Sequence, residues 1–270
     1  MSFATETPVQ THHLPADLTL VTLPYLGDNY TYLLHDPASG ATAVIDVGEA
    51  APIEAELAKR GWQLSEIWLT HHHWDHIDGV ADLVKSTGAL VVGAEVDAHR
   101  LPPLARPVVA GDSFEFVGHR VDIIDVPGHT VGHIAYHLPD SAVAFTGDSL
   151  MALGCGRLFE GTPDQMYESL SALAKLPPHT QICSGHEYTA ANAAFAVTID
   201  PDNAALATRQ HQITAKRAEK QPTVPSLLSL ELATNPYLRA HLPEVKAAIG
   251  MESAPNTEVF AEIRRRKDSF

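Results

Sequence analysis

The segment 70–79, with the sequence THHHWDHIDG, places four histidines and two aspartates within ten residues. Imidazole nitrogens and carboxylate oxygens are ligands that Zn, Mn and Fe accept in proteins. The segment lies in mid-chain, directly after an apolar stretch, so it is not a terminal purification tag. If a strand ends at Thr70, the alternation of side chains projects His71 and His73 to the same side. This spacing predicts a metal site in a loop at the end of a strand.

Asp75 and His76 come next, in the predicted turn, and can face the same cavity. Three further candidate ligands, His129, Asp148 and His186, each directly follow a glycine at the end of a strand-like run. Glycine at such positions lets the backbone turn sharply beside a site. A single histidine or aspartate after glycine is more often a turn residue or a helix cap. Four strand-end groups in one domain, one of them dense in histidine, favour a metal centre.

Nine short apolar and β-branched runs predict the strands that carry these groups. They are LTLVTLP, NYTYLLHD, TAVIDVG, EIWLT, ALVVGA, FEFVG, RVDIIDVPG, IAYHLPD and AVAFTGD. Helical patterns lie between them at 53–60 and 80–85, and Thr162 to Gln165 has the pattern of a capping box that begins a third helix. The mixture predicts an α/β sandwich. After His186 the sequence becomes alanine-rich and helical, which predicts a smaller second domain.

Composition narrows the class of protein. The chain has 270 residues, 45% of them hydrophobic, and no apolar stretch approaches the length of a membrane helix. A formal charge of −15 disfavours a nucleic-acid groove, since phosphate binding needs clustered cations. Residues 1–15 show no signal-peptide pattern and are expected to form a loosely ordered lead-in. Two cysteines cannot build a disulfide framework, so we expect a cytoplasmic protein. The short apolar stretches and the negative charge predict no membrane and no nucleic-acid partner.

Segment 70–76 fits the T-H-x-H-x-D-H signature of the metallo-β-lactamase superfamily, and the later ligands follow in the order of that superfamily. The resemblance implies a four-layer αββα sandwich with two metal ions. It assigns one metal to His71, His73 and His129, the other to Asp75, His76 and His186, and a bridging role to Asp148. His72 is predicted to be a spacer, and His133 to support the ligands or the fold.

The segments 154–161, 185–189 and 264–270 resemble the hydroxyacylglutathione hydrolase family, also called glyoxalase II. The likeness covers nearly the whole chain apart from about the first fifteen residues. It implies hydrolysis of S-D-lactoylglutathione to glutathione and D-lactate, the second step of methylglyoxal detoxification, by a hydroxide held between the metals, with Asp75 and Asp148 as catalytic ligands. It also implies a catalytic domain at 1–186 and a glutathione-binding helical domain at 187–270.

The same resemblance predicts the groups that bind glutathione. They are Arg157, Phe159, Tyr188, Arg264 and Lys267. Some relatives have lysine and tyrosine in place of the first two, so a phenol hydrogen bond from position 159 is missing in this chain. Zinc is the expected metal, with iron or manganese as alternatives, and a monomer is expected.

The spacing of the basic residues near the end of the chain distinguishes two pairs of cations. If Asn256 caps a helix, Arg264 and Lys267 share the inward face with Phe260 and Ile263. Arg265 and Arg266 then point to solvent. The alternative is that all the cations only complement the helix dipole.

Three other functions are compatible with parts of the pattern. One is another hydrolase of this fold, such as a lactonase, β-lactamase or nuclease. The second is a glutathione persulfide dioxygenase with a single iron, which the complete second ligand set Asp75, His76 and His186 disfavours. The third is a metal-binding protein without catalytic activity.

Overall fold

The computed structural model describes residues 7–270, which form two compact units. The first unit contains the described residues up to Asp125 together with Gly132–Gly147, and the second contains Val126–Val131 and Asp148–Phe270. The predicted domain boundary at residue 186 falls inside the second unit, and it remains a prediction.

Within residues 7–270, the first unit has a seven-stranded sheet whose strands follow chain order. The strands are β1 (Gln10–His13), β2 (Thr19–Tyr25), β3 (Asn29–His35), β4 (Ala41–Ile45), β5 (Gln63–Trp68), β6 (Leu90–Ala94) and β7 (Arg106–Val108). Strands β1 to β4 pair antiparallel, whereas β4 to β7 pair parallel. Parallel neighbours need a crossover. Helix α1 (Ala50–Arg60) connects β4 to β5, and the short helix α2 (Trp74–Ile77) and α3 (Val80–Thr87) connect β5 to β6.

Helices α1 and α3 cover one face of this sheet. Ile53 and Leu57 of α1, with Val80 and Leu83 of α3, join an apolar cluster that includes Val44 on β4. Their spacing of four and three residues places them on single helix faces, so both helices bury one stripe and expose the other. Each helix ends at a glycine with positive φ, a conformation that glycine adopts without steric cost.

A second sheet of the first unit contains β8 (Ser113–Phe116), β9 (His119–Asp125), β10 (Ile134–Leu138) and β11 (Val143–Gly147), all antiparallel. Trp68 of β5 lies at the centre of the packing between the two sheets. Its ring contacts those of Phe114, Phe116, Tyr136 and Phe145 at centroid distances of 5.3–6.5 Å. Aromatic contacts in this range add to the burial energy, so they hold the sheets face to face.

The nine predicted strands and the helices around 53–60 and 80–85 are confirmed. The lead-in prediction is wrong for residues 10–13, because they form β1 and pair with β2. Alternating exposure in this short edge strand hides it from a search for apolar runs. The same prediction also covers residues 1–6, which lie outside the described residues.

The second unit is mainly helical. Its elements are β12 (Leu150–Met151), β13 (Gly154–Cys155), α4 (Pro163–Leu173), β14 (Gln181–Ser184), α5 (Thr189–Ile199), α6 (Ala204–Ala218), β15 (Ser226–Leu227), α7 (Leu228–Thr234), α8 (Pro243–Ala248) and α9 (Asn256–Asp268). The capping box of α4 is confirmed, since Thr162 and Gln165 bond reciprocally across the first turn. Among the described residues, no helix is long and apolar enough to span a bilayer.

A buried ion pair fixes the β12–β13 hairpin that follows Asp148. Glu231 on α7 is fully buried, bonds to Arg209 on α6, and accepts a 2.8 Å hydrogen bond from the backbone N–H of Leu153 at the hairpin turn. Asn235 donates to the carbonyl oxygens of Met151 and Gly154 on either side of that turn. Breaking such a buried pair typically costs about 3–5 kcal/mol. The helices of this unit therefore hold the hairpin rigidly.

Candidate metal centre

The histidine segment lies where the sequence predicts, after β5. His71 and His76 are fully buried, and His73 is partly exposed. The Nε2 atom of His71 lies 3.1 Å from Nδ1 of His73, and Nε2 of His76 lies 3.6 Å from Oδ2 of Asp75. Asp75 and His76 belong to α2 rather than to an irregular turn. The loop thus brings imidazole and carboxylate ligand atoms together within the first unit.

Asp46, which follows β4, orients the buried histidines. Its Oδ1 accepts from the N–H of Thr70 at 2.8 Å, and its Oδ2 lies 2.7 Å from Oγ1 of Thr70 and 2.8 Å from Nδ1 of His76. A carboxylate only accepts, so Nδ1 of His76 carries the proton and Nε2 keeps its lone pair. The ligand atoms of Asp46, His71 and His76 lie within 4.8 Å of one another. Because both oxygens of Asp46 already have these partners, Asp46 suits orienting His76, a predicted ligand, better than binding a metal itself.

Asp75 is held by residues of strands β2 and β3. Asn29, at the start of β3, donates to Oδ2 of Asp75 at 2.9 Å, and the hydroxyl of Tyr25 donates to the carbonyl oxygen of Asp75 at 2.6 Å. A Cβ atom at Gly48 would lie 2.2 Å from that same carbonyl oxygen. The backbone of α2 therefore packs directly against the loop after β4, and only glycine fits there.

His133, which lies outside the histidine segment, packs against it. Its ring is fully buried and stacks on the ring of His71 at 4.6 Å and 12°. The Nδ1 atom lies 3.1 Å from the carbonyl oxygen of Ile134. These contacts agree with the predicted supporting role, because stacking fixes the plane of the His71 imidazole.

In the second unit, Asp148 lies between two histidines. Its Oδ2 is 3.4 Å from Nε2 of His129 and 3.2 Å from Nε2 of His186. All three side chains are buried. Nδ1 of His129 donates a 2.8 Å hydrogen bond to the carbonyl oxygen of Arg157, so its proton stays on Nδ1 and Nε2 is directed towards the carboxylate. A carboxylate that faces two imidazole nitrogens has the donor chemistry of a divalent-metal site.

The GCG segment needs glycine at its third position. A Cβ atom at Gly156 would lie 2.0 Å from the carbonyl oxygen of Asp148 and 2.8 Å from Nδ1 of His129. The hairpin formed by β12 and β13 brings the two segments this close, because Gly156 also donates to the carbonyl oxygen of Ser149 at 3.1 Å. The segment that begins with Arg157 thus starts beside the ligands of this unit.

Three of the predicted substrate residues lie beside these ligands. The ring of Phe159 is 62% exposed and contacts that of His129 at 5.3 Å. Tyr188 is 40% exposed and stacks on His186 at 4.7 Å and 6°. Arg157 is exposed. Exposed aromatic faces next to ligand imidazoles provide apolar contact area for a bound molecule.

The inward face of α9 is confirmed, since Phe260, Ile263 and Arg264 are buried. The cap prediction is wrong, because Pro255 is the N-cap and Asn256 is the first helical residue. The side-chain pattern alone could not distinguish these registers, because proline is also common near helix starts.

The two inward cations have protein partners. Arg264 donates to the carbonyl oxygen of Cys155 at 3.0 Å and to Asp268 at 2.8 Å, and Lys267 donates to the carbonyl oxygen of Ala191 at 3.0 Å. Burial, followed by repulsion from Arg264 and Arg157, lowers the pKa of Lys267. Such repulsion is relieved when an anion binds nearby.

The outward cations are engaged differently. Arg265 and Arg266 both pair with Glu262. Arg265 is exposed as predicted, whereas Arg266 is only partly exposed and also donates to the carbonyl oxygen of Ile249 at 3.1 Å, contrary to the prediction that it points to solvent. Their hydrogen bonds lower the pKa of Glu262 to about 2. Surface pairs of this kind contribute little to stability.

Neither cysteine supplies a nucleophile. Burial raises the pKa of the Cys155 thiol to about 11 and that of Cys183 well above its usual range. The reactive form of cysteine is the thiolate, so both residues are inert at neutral pH. Neither thiol is therefore a candidate for nucleophilic chemistry at this site.

Asp46, Asn29 and Tyr25 are contacts that the sequence predictions missed. Asp46 carried a usable signal, because it lies at the end of a strand-like run, as the predicted ligands do. Asn29 and Tyr25 carried none, since each reaches Asp75 from a position more than 40 residues away.

Comparison with known proteins supplies the family. Residues 24–186 match the metallo-β-lactamase superfamily, and residues 187–270 match the C-terminus of hydroxyacylglutathione hydrolase. The hydroxyacylglutathione hydrolase of Ruegeria pomeroyi is 61% identical over 253 residues, which is 94% of this chain and 99% of that protein. The chain belongs to the hydroxyacylglutathione hydrolase family. The predicted family and fold class are thereby confirmed.

Solved structures agree with this assignment. The BLEG-1 B3 metallo-β-lactamase superimposes with a TM-score of 0.62 at 19% identity, covering 85% of this chain and 99% of its own, which shows the fold. The di-iron-bound form of TTHA1623 superimposes with a TM-score of 0.54 at 29% identity, covering 62% of this chain and 91% of its own. Membership of this family identifies the chain as a metal-dependent hydrolase of the metallo-β-lactamase fold. Its histidine and aspartate clusters suit divalent metal ions.

Proposed function

We propose that this enzyme hydrolyses 2-hydroxyacyl thioesters of glutathione, and S-D-lactoylglutathione in particular, to glutathione and the free acid. With that substrate it performs the second step of methylglyoxal detoxification. The observation that carries the proposal is the 61% identity to a hydroxyacylglutathione hydrolase over nearly the full length of both chains.

Two divalent metal ions, with zinc as the expected species, complete the proposed site. One ion is assigned to His71, His73 and His129, the other to Asp75, His76 and His186, and Asp148 is assigned to both. Support comes from the motif match and from the arrangement inside each unit, where Asp148 faces two imidazole nitrogens and His76 is oriented by Asp46. When bound, such ions lower the pKa of a water molecule and polarise a carbonyl oxygen.

The residues of the chain provide orientation for this chemistry. Asp46 keeps the proton of His76 on Nδ1, and the carbonyl oxygen of Arg157 does the same for His129. Asn29 occupies Oδ2 of Asp75 on one side. The leaving group is a thiolate with an intrinsic pKa of about 8.5, so a strong general acid is not needed.

The glutathione moiety is proposed to bind on the second unit. Phe159 and Tyr188 offer exposed aromatic faces, and Arg157 and Lys267 are cations close enough to repel each other. A glutathione carboxylate would relieve that repulsion. Arg264 is proposed to help bind the glutathione carboxylate. Because Arg264 donates to Asp268 in this structure, the ligand carboxylate would compete with the Asp268 carboxylate for the guanidinium group.

Location and assembly complete the proposal. Both cysteines are buried free thiols, which suits the reducing cytoplasm. We infer that the enzyme acts there as a monomer, and its molecular mass in solution tests that inference.

The direct test is thiol release from S-D-lactoylglutathione by the purified enzyme, together with a metal count. We expect turnover in the ordinary enzymatic range and two metals per chain, with activity abolished by a chelator and restored by zinc. A lactone, a β-lactam and glutathione persulfide serve as comparison substrates. Faster turnover of any of these than of the thioester would contradict the proposal.

A further inference from the structure

His72, which the sequence predicts to be a spacer between two ligands, makes a specific contact. Its Nδ1 lies 2.9 Å from Oδ2 of Asp97, in the 3₁₀ turn Glu95–Asp97 that follows β6. Because a carboxylate only accepts, Nδ1 of His72 donates this hydrogen bond. The spacer prediction therefore needs revision: the histidine between the two predicted ligands is tied to a neighbouring connection of the sheet.

Asp97 is a fixed anchor. It is 1% exposed, and its Oδ1 accepts from Nε of Arg100 at 2.7 Å. Its carbonyl oxygen accepts from the N–H groups of Arg100 and Leu101. A buried carboxylate persists only when it is paired and hydrogen-bonded, and Asp97 satisfies both conditions.

The anchor also contacts the segment that precedes His133. A Cβ atom built at Gly132 would lie 2.5 Å from Cγ of Asp97, so the backbone there rests against the carboxyl group. The next residue, His133, stacks on His71. Asp97 therefore touches both the histidine segment and the segment whose imidazole fixes the ring plane of His71.

His72 lies between two proposed metal ligands, so its contact with Asp97 affects both of them. Its neighbours on both sides, His71 and His73, are proposed ligands whose ring nitrogens approach to 3.1 Å. Holding the side chain of the middle residue fixes the rotation of the backbone between them, because successive side chains in an extended segment point to opposite sides. The rings of His72 and His73 also contact each other at 5.1 Å.

We propose that Asp97 and His72 form a brace that positions His71 and His73 for metal binding, with both brace residues acting through the ligands. The proposal rests on the proposed metal centre. Partners that orient ligands commonly contribute a factor of about 10–100 to metal affinity. Since Arg100 still neutralises Asp97 when His72 is removed, loss of the imidazole leaves no isolated buried charge.

The test measures zinc affinity of the metal-free protein by competition with a chelator, and it uses His72→Asn and His72→Gln as a matched pair. Asn can place its N–H near the position of Nδ1, whereas the longer Gln cannot. We expect Asn to retain affinity within about threefold and Gln and His72→Ala to lose about tenfold or more. The absorption spectrum of the cobalt-substituted protein should change in Gln but not in Asn. Equal affinities for Asn, Gln and wild type would overturn the brace.

Two controls separate the brace from general stability and from the enzyme reaction. His137→Asn alters another buried histidine near an aspartate, with 3.9 Å between Nδ1 of His137 and Asp122, and should change the melting temperature of the metal-free protein without changing zinc affinity. The double variant His72→Gln/Asp97→Asn should bind zinc no more weakly than the weaker single variant. Additive losses would overturn the brace. Failure of thioester turnover in the wild type would refute the proposed reaction, whereas the affinity ratios test the brace independently.

Discussion

Replacing Asp46 by asparagine tests how the fold sets the protonation of a ligand. Oδ1 of Asp46 faces the N–H of Thr70, and Oδ2 faces the hydroxyl of Thr70 and Nδ1 of His76. In Asp46→Asn, the amide oxygen must stay opposite the Thr70 N–H, because two donors would otherwise meet. The NH₂ group then faces Nδ1 of His76, which becomes an acceptor. The imidazole proton moves to Nε2, the nitrogen assigned to the metal.

The expected size follows from this geometry. Metal binding must displace that proton or force two donors together, so zinc affinity should fall about 10- to 100-fold, equivalent to about 1.4–2.7 kcal/mol. The metal-free protein keeps its Thr70 N–H hydrogen bond and should lose only about 1–3 kcal/mol of unfolding free energy. A steric effect is excluded by design, since asparagine and aspartate have nearly the same shape.

The assay is zinc competition with a chelator, together with thiol release at limiting and at excess zinc. Activity of Asp46→Asn should be low at limiting zinc and recover in part with excess. Asp200→Asn is the matched control, because Asp200 is a buried carboxylate that pairs with Arg239 and is assigned to no metal or substrate contact. Zinc affinity of Asp46→Asn equal to that of wild type would refute the argument about the proton.

Further predictions concern Asp148, the proposed bridging ligand, and the cations of α9. Asp148→Ala should reduce turnover by orders of magnitude and bound metal below two per chain; retention of both metals would contradict its bridging role. Arg264→Ala and Lys267→Ala should raise KM several-fold with smaller effects on kcat, whereas Arg265→Ala should change neither constant. Equal effects of all three substitutions would mean that these cations only complement the helix dipole. Because burial and nearby cations lower the pKa of Lys267, KM should rise with pH below the usual lysine range, and steady-state profiles of Lys267→Arg should lack this rise.

The predictions from sequence were accurate where the information is local. Strand ends, the capping box at Thr162 and the apolar stripe of α9 depend on residues within one or two turns of each other. The position of the histidine segment after β5 follows for the same reason. Family resemblance added the proposal that this segment shares a metal centre with His129, Asp148 and His186, which no local pattern contains.

Partners across the sheets were beyond such reasoning, and Asp46 illustrates why. Parallel pairing of β4 with β5 aligns Ile45 with Trp68, so the next residue, Asp46, arrives beside Thr70, 24 positions later in the chain. Asp46 also adopts φ of 59°, in the left-handed region that aspartate tolerates better than most residues. Register and this turn together aim its carboxylate at His76.

His72 and Arg264 show the same difference between local pattern and distant partner. Their residue types and helix or loop positions were evident from the sequence. Their partners were not, because Asp97 lies on another connection of the sheet and Cys155 is 109 positions away from Arg264. Sequence by itself determined which side chains could bind metal and where most of the strands and helices around them lie. Only the tertiary structure decided which proton each imidazole keeps and which groups hold the ligands, since hydrogen bonds depend on distances that the packed sheets and helices set.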